Sequence, residues 1–167
     1  ILFLSLAASK IIPVNPILVQ FFILFTVGPL LGSLVTEPAA ITIVALLLFR
    51  MIDDEKVQPS LLYGMLALLF VNISVGGALT HFAAPPILVV ARTWNWGLKD
   101  VFLYLGEAAI ASVVVNTTLF VFFMRKKMVL MLRRTQADQY PMPGWVIGSH
   151  LLFMIGVVFF AHHIQVF

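Results

Sequence analysis

Glu37 stands between Thr36 and Pro38 and is the only formally charged residue between Lys10 and Arg50. A carboxylate inside so apolar a run is costly in lipid, and where one persists it usually lies on an ion pathway or in a proton relay. Further along come Asn72, Ser74, Thr80 and His81, gathered around Gly76 and Gly77. Hydroxyl, amide and freed carbonyl oxygens can replace the water of a small cation, and a histidine can titrate near neutral pH. Each residue also has a plainer reading. Ser33, Ser74 and Thr42 can bond to backbone, Asn72 to a neighbouring helix, and Gly76 and Gly77 can serve close packing. Glu37 can be a structural partner of His81 or of an arginine.

Such groups need elements that hold them away from lipid, and composition identifies those elements. Hydrophobic residues make up 62% of the chain, charged residues 10%, and mean hydropathy is +1.08, against roughly 25% charge in a soluble domain. Long apolar runs without polar alternation indicate helices rather than a β-barrel. The expected class is an all-α polytopic membrane protein. Without cysteine, disulfides and thiolate metal sites are excluded. The net charge of +3 is explained by one basic loop, so nucleic acid is not an expected partner.

Residues 1–10 read as the end of a truncated transmembrane helix, closed by the helix-stopping run Pro13 to Pro16. Ile17 to Phe49 is too long for one helix, at about 50 Å against a hydrocarbon core of about 30 Å, and too short for two full spans. Two shortened helices meeting at a break fit better, with break signals at Gly28-Pro29, Gly32-Ser33 and Pro38. Residues 11–56 are therefore expected to form a re-entrant hairpin and a loop, two very short full spans being the alternative. Residues 57–92 hold two adjacent glycines and two adjacent prolines, the pattern of a discontinuous helix with an unwound middle. Residues 93–124 supply an outer loop and an ordinary span from Val101 to Met124. A basic linker at 125–142 and a last transmembrane helix at 143–167 complete the chain.

The Arg125 to Arg134 cluster belongs on the cytoplasmic side by the positive-inside rule. Counting spans back places Arg92 to Asp100 outside, with Trp94 and Trp96 as interfacial anchors, and Arg50 to Lys56 inside. If Lys10 and Arg50 share a side, the block between them crosses an even number of times or not at all. That again favours a hairpin.

A break at membrane depth frees backbone groups that lipid cannot satisfy, so it survives only packed in protein or facing a watery site. Half-helix N-termini then face anions, while carbonyls and hydroxyls take cations. Glu107 is an accessory candidate in its own span. Asn116, Thr117 and Thr118 are expected to bond between helices, and Asp53, Asp54 and Glu55 to form a solvated loop. His150, His162 and His163 make no convincing metal site, since adjacent histidines do not share a helix face. No phosphate loop, HExxH or nucleophile motif occurs, so the chain is not read as an enzyme.

The segments TEPAAITIVALLL and VNISVGGALTHFAAPPILVVARTWNWG, with AHH after the last span, resemble the putative sodium/proton antiporter family of bacteria. That family lies within the ion transporter superfamily of arsenite permeases and sodium-coupled dicarboxylate transporters. The resemblance implies an inverted-repeat transporter in which each half supplies a re-entrant hairpin and an unwound helix. It assigns Thr36, Glu37 and Pro38 to the hairpin tip and Asn72, Gly76, Gly77 and Thr80 to the unwound loop, with His81 beside them. The chain corresponds to the first repeat plus the start of the second. The tip departs from the Ser-Asn-Thr type common among relatives, and the carboxylate favours proton coupling over dicarboxylate transport.

The expected function is sodium/proton antiport across the bacterial inner membrane, with sodium at Thr36, Asn72 and Thr80 and no other cofactor. Alternatives are an organic-anion or oxyanion permease and a non-transporting membrane subunit. The expected partners are sodium, protons, the bilayer and the second half of the same transporter; a homodimer is left open.

Overall fold

A computed structural model describes residues 15–52 and 57–132, together with residues 144–146, 148–149, 152–153 and 156 of the C-terminal stretch. The expected first helix end, the Asp53 to Glu55 loop, most of the basic linker, and His150, His162 and His163 lie outside the described residues. Residues 136–167 form a compact unit of their own, whose described residues are helical. Within it the Ser149 hydroxyl donates to the Val146 carbonyl at 2.9 Å.

In the first unit, α1 (Pro16–Val35) and α2 (Glu37–Met51) are separated by one residue, Thr36. α3 (Pro59–Gly76) passes into a 3-10 turn (Gly77–Leu79), and after an irregular stretch α4 (Pro85–Trp94) follows. α5 (Leu98–Val101), a π-helical turn (Phe102–Gly106) and α6 (Glu107–Met131) make one long run. Prolines open α1, α2, α3 and α4 at the first or second position. Proline is suited there, because the N–H it lacks would have no partner in the helix. At α1 the Asn15 side chain also accepts the Ile17 N–H at 3.0 Å. After α4 the chain turns at Asn95, left-handed at φ 53°, a conformation that asparagine tolerates.

Among the described residues, three segments are long and apolar enough to cross a membrane: Pro16–Val35, Pro59–Leu79 and Leu98–Met131. All the same, the core is narrow. On α2 the buried positions Ala40, Val44, Leu48 and Met51 form one stripe, while Ile43, Leu46 and Phe49 face outward. Phe21 and Phe25 of α1 stack at 4.1 Å between that stripe and Met65 and Leu69 of α3. Apolar residues all round a helix suit a lipid surface rather than water.

α1 and α2 turn back on each other at Thr36, since the space beside Gly32 is closed by the Ala40 side chain at 3.0 Å. A lone antiparallel bridge joins Ile52, after α2, to Leu132, after α6. Arg50 and the basic residues Arg125, Lys126 and Lys127 therefore lie towards the same end of the bundle.

Two expectations change. Neither Gly28-Pro29 nor Gly32-Ser33 breaks the helix, and α1 has 20 residues, about 30 Å, rather than a shortened length. The ordinary span expected at Val101 to Met124 runs instead from Leu98 to Met131. Arginine and lysine are good helix formers, and buried Met128 keeps the basic turn packed on the core.

Candidate functional site

α1 packs against α3 and α6 in the turn from Phe25 to Pro29. A proline has no N–H, so the carbonyl four residues back, Phe25, loses its helical donor. Inside a membrane an unsatisfied carbonyl costs several kcal/mol. Asn72 Nδ2 donates to it at 2.9 Å and Thr117 Oγ1 reaches it at 3.2 Å. Asn72 Nδ2 also lies 2.9 Å from Thr117 Oγ1, and Asn116 Nδ2 donates to Asn72 Oδ1 at 3.3 Å. Asn72 and Thr117 are completely buried. The proline thus keeps its place in the helix because two side chains from two other helices, Asn72 and Thr117, replace the missing bond, with Asn116 bracing Asn72.

One turn further along α3, Gly76 meets α1 directly. A Cβ at Gly76 would lie 2.7 Å from the Pro29 carbonyl oxygen, so only glycine permits this backbone approach. Beyond it the two breaks cap each other. The Ser33 hydroxyl donates to the Gly76 carbonyl at the end of α3. The Thr80 hydroxyl donates to the Ser33 carbonyl near the end of α1, at 2.7 Å. Carbonyls in the last turn of a helix have no partner within it, and each break supplies a hydroxyl to the other.

The carboxylate of Glu37 closes the arrangement. Glu37 is the first residue of α2, and its Oε1 lies 2.9 Å from the position a Cβ on Gly77 would take. The Ala84 side chain, just before α4, lies 3.3 Å from that same position. Four helix ends therefore converge on Gly77: the C-terminal ends of α1 and α3, with partial negative charge, and the N-terminal ends of α2 and α4, with partial positive charge. Among the described residues, no hydrogen-bond donor or cation reaches the Glu37 carboxylate, which is half-buried.

The residues singled out from sequence divide accordingly. Glu37, Gly76, Gly77 and Thr80 come together, and Ser33 joins them. Thr36 and Pro38 flank Glu37 with exposed side chains, Thr36 on extended backbone at φ 158° and ψ 155°. Asn72 lies below them in the Pro29 crossing, with both ends of its amide engaged. Ser74 is exposed on another face of α3. His81 follows Thr80 half-buried, with its ring edge-on to Phe82 at 5.2 Å. Glu107 is exposed at the start of α6.

The π-helical turn was not anticipated. It packs against the 3-10 turn that begins at Gly77, and such turns often mark functional sites. The usable signal was Gly106, beside which the Phe102 ring fits at 2.9 Å from where a Cβ would stand. Thr117 was expected to bond between helices, and it does.

A family model described as putative Na+/H+ antiporter matches residues 3–167. Neither a curated protein nor a solved structure matches the chain.

Proposed function

Because the chain belongs to that putative Na+/H+ antiporter family, we propose that it carries out sodium/proton exchange at the convergence of the four helix ends. The observation that carries this reading is the placement of Glu37 against Gly77. One carboxylate there can hold a proton in one half of the cycle and balance sodium in the other. Thr36, Thr80 and carbonyls at the ends of α1 and α3 would replace the ion's water, as unwound transporter helices do. The hydroxyl of Thr80 gives its proton to Ser33 and keeps its lone pairs for a cation. His81 is the neighbouring group through which a proton would reach Glu37. Glu107 is an accessory acid, and Asn72 acts by positioning α1 rather than by touching the ion. α1 and α2 would form the helical hairpin of the first of two inverted repeats, with α1 long enough to reach across the bilayer and the second repeat lying in the other half of the transporter. The basic end would face the cytoplasm of a bacterial inner membrane.

A second reading has its own support. The N-terminal ends of α2 and α4 meet at the same point, and positive helix ends suit an anion. On that reading the site is an organic-anion or oxyanion permease and Glu37 is structural.

Sodium-dependent proton movement in vesicles holding the full-length protein separates these readings. Glu37→Gln is expected to abolish it, with at least a hundredfold loss. Unchanged exchange would remove the role given to Glu37, and substrate-dependent anion flux that survives the substitution would establish the second reading. A packing subunit would show no flux in either form.

A further inference from the structure

Behind the Ser33–Thr80 pair lies a cleft of about 550 Å³, outside the contact of Glu37 with Gly77. Its walls are Leu30 and Leu34 of α1, Leu79 of the 3-10 turn, and Leu98 and Phe102 at the start of the long helix. Lys99 is its single charged lining residue. The volume falls within the roughly 300–1,000 Å³ of small-ligand pockets, but the chemistry is unusual: an alkyl-lined trough with one ammonium. A hydrated cation would be repelled by Lys99 and gain nothing from the leucines. An anionic head on an alkyl chain fits both features.

Two further observations choose the source of that chemistry. Trp96 stacks on Tyr104 at 5.0 Å and contacts Trp94 at 4.8 Å, on either side of Lys99 in sequence. Tryptophan and tyrosine in such a cluster mark the headgroup level of a bilayer. The neighbouring acid forms no ion pair with Lys99 among the described residues, since Asp100 Oδ2 accepts the Gly97 N–H at 2.9 Å and is held in the turn. We infer that this cleft seats one acyl chain of an anionic phospholipid, with Lys99 holding its headgroup. The chain end would rest on Ser33 and Thr80, the two hydroxyls that clip the breaks together. Lipid composition would thereby bear on how firmly the breaks are held.

The test is native mass spectrometry of the full-length protein released from bilayers of mixed phosphatidylglycerol and phosphatidylcholine. One phosphatidylglycerol is expected to stay bound with about a fivefold preference, the effect of one lysine at an anionic headgroup. Lys99→Gln should remove the preference and Lys99→Arg should keep it. Leu98→Trp, which fills the cleft without altering charge, should release the lipid. Retention unaffected by Lys99→Gln overturns the site, and retention unaffected by Leu98→Trp reduces it to surface attraction. Displacement by palmitate at equal concentration would show a free fatty acid, not a bilayer lipid, to be the occupant.

Discussion

The crossing at Pro29 and the convergence at Gly77 stand one turn apart on α3 and solve opposite problems. At the crossing, the buried polar side chains are spent: Asn72 serves Phe25 and Thr117, and Asn116 serves Asn72. At the convergence, Glu37 sits half-buried with a carboxylate that takes no donor among the described residues. Buried networks that are fully satisfied make a structure rigid, whereas an unspent carboxylate can exchange partners. The adjacent glycines follow the same division. Gly76 is required by backbone and Gly77 by a side chain.

The difference can be broken most forcefully at Gly76. Alanine normally improves a helix over glycine by up to about 1 kcal/mol, but here its Cβ meets the Pro29 carbonyl, which cannot swing away. Gly76→Ala is expected to cost about 3 kcal/mol through forced separation of α1 and α3, read as a lowered unfolding temperature of the full-length protein in detergent. Next in size is Asn72→Ala, at about 2 kcal/mol, since it strips the shorter-bonded donor from a buried carbonyl. Pro29→Ala in that background restores an N–H to Phe25 and should recover at least half of the loss. Purely additive effects would show that Asn72 does not answer Pro29. The smallest stability change belongs to Gly77→Ala, within about 1 kcal/mol, because the Glu37 side chain can yield where a backbone cannot. Exchange should nonetheless fall about tenfold as the carboxylate is displaced. A variant that loses stability but keeps exchange would invert the division between the two glycines.

This division also marks how much could be read from sequence. Glu37 is conspicuous by its charge, and the glycine and proline pairs announce the unwound stretch, so their meeting was predictable in kind. Pro29 was misread as a break because its repair comes from Asn72, whose bond to Phe25 spans 47 positions. No local pattern carries that information. Asn72 in turn read equally as an ion ligand or as a bond to a neighbouring helix, because an amide in lipid signals only that a partner exists and not which one; the structure shows it bonded to Phe25 and Thr117. The helix through Arg125 to Lys127 was hidden by reading charge as the end of a span, although those residues favour helix. The π-helical turn depends on Gly106 receiving the Phe102 ring, a fit that glycine permits but does not dictate.

Pro29 has one more consequence. By leaving the Phe25 carbonyl to side chains of α3 and α6, it gives α1 a fulcrum. Thr36 lies 11 positions beyond Phe25, about 16 Å along the helix axis. A tilt of about 10° that leaves the fulcrum intact swings the end of this lever by about 3 Å, enough to part Ser33 from Gly76 and lift Glu37 off Gly77. Proline at this position turns a packing contact into leverage, with the proposed exchange site at the long end of the arm.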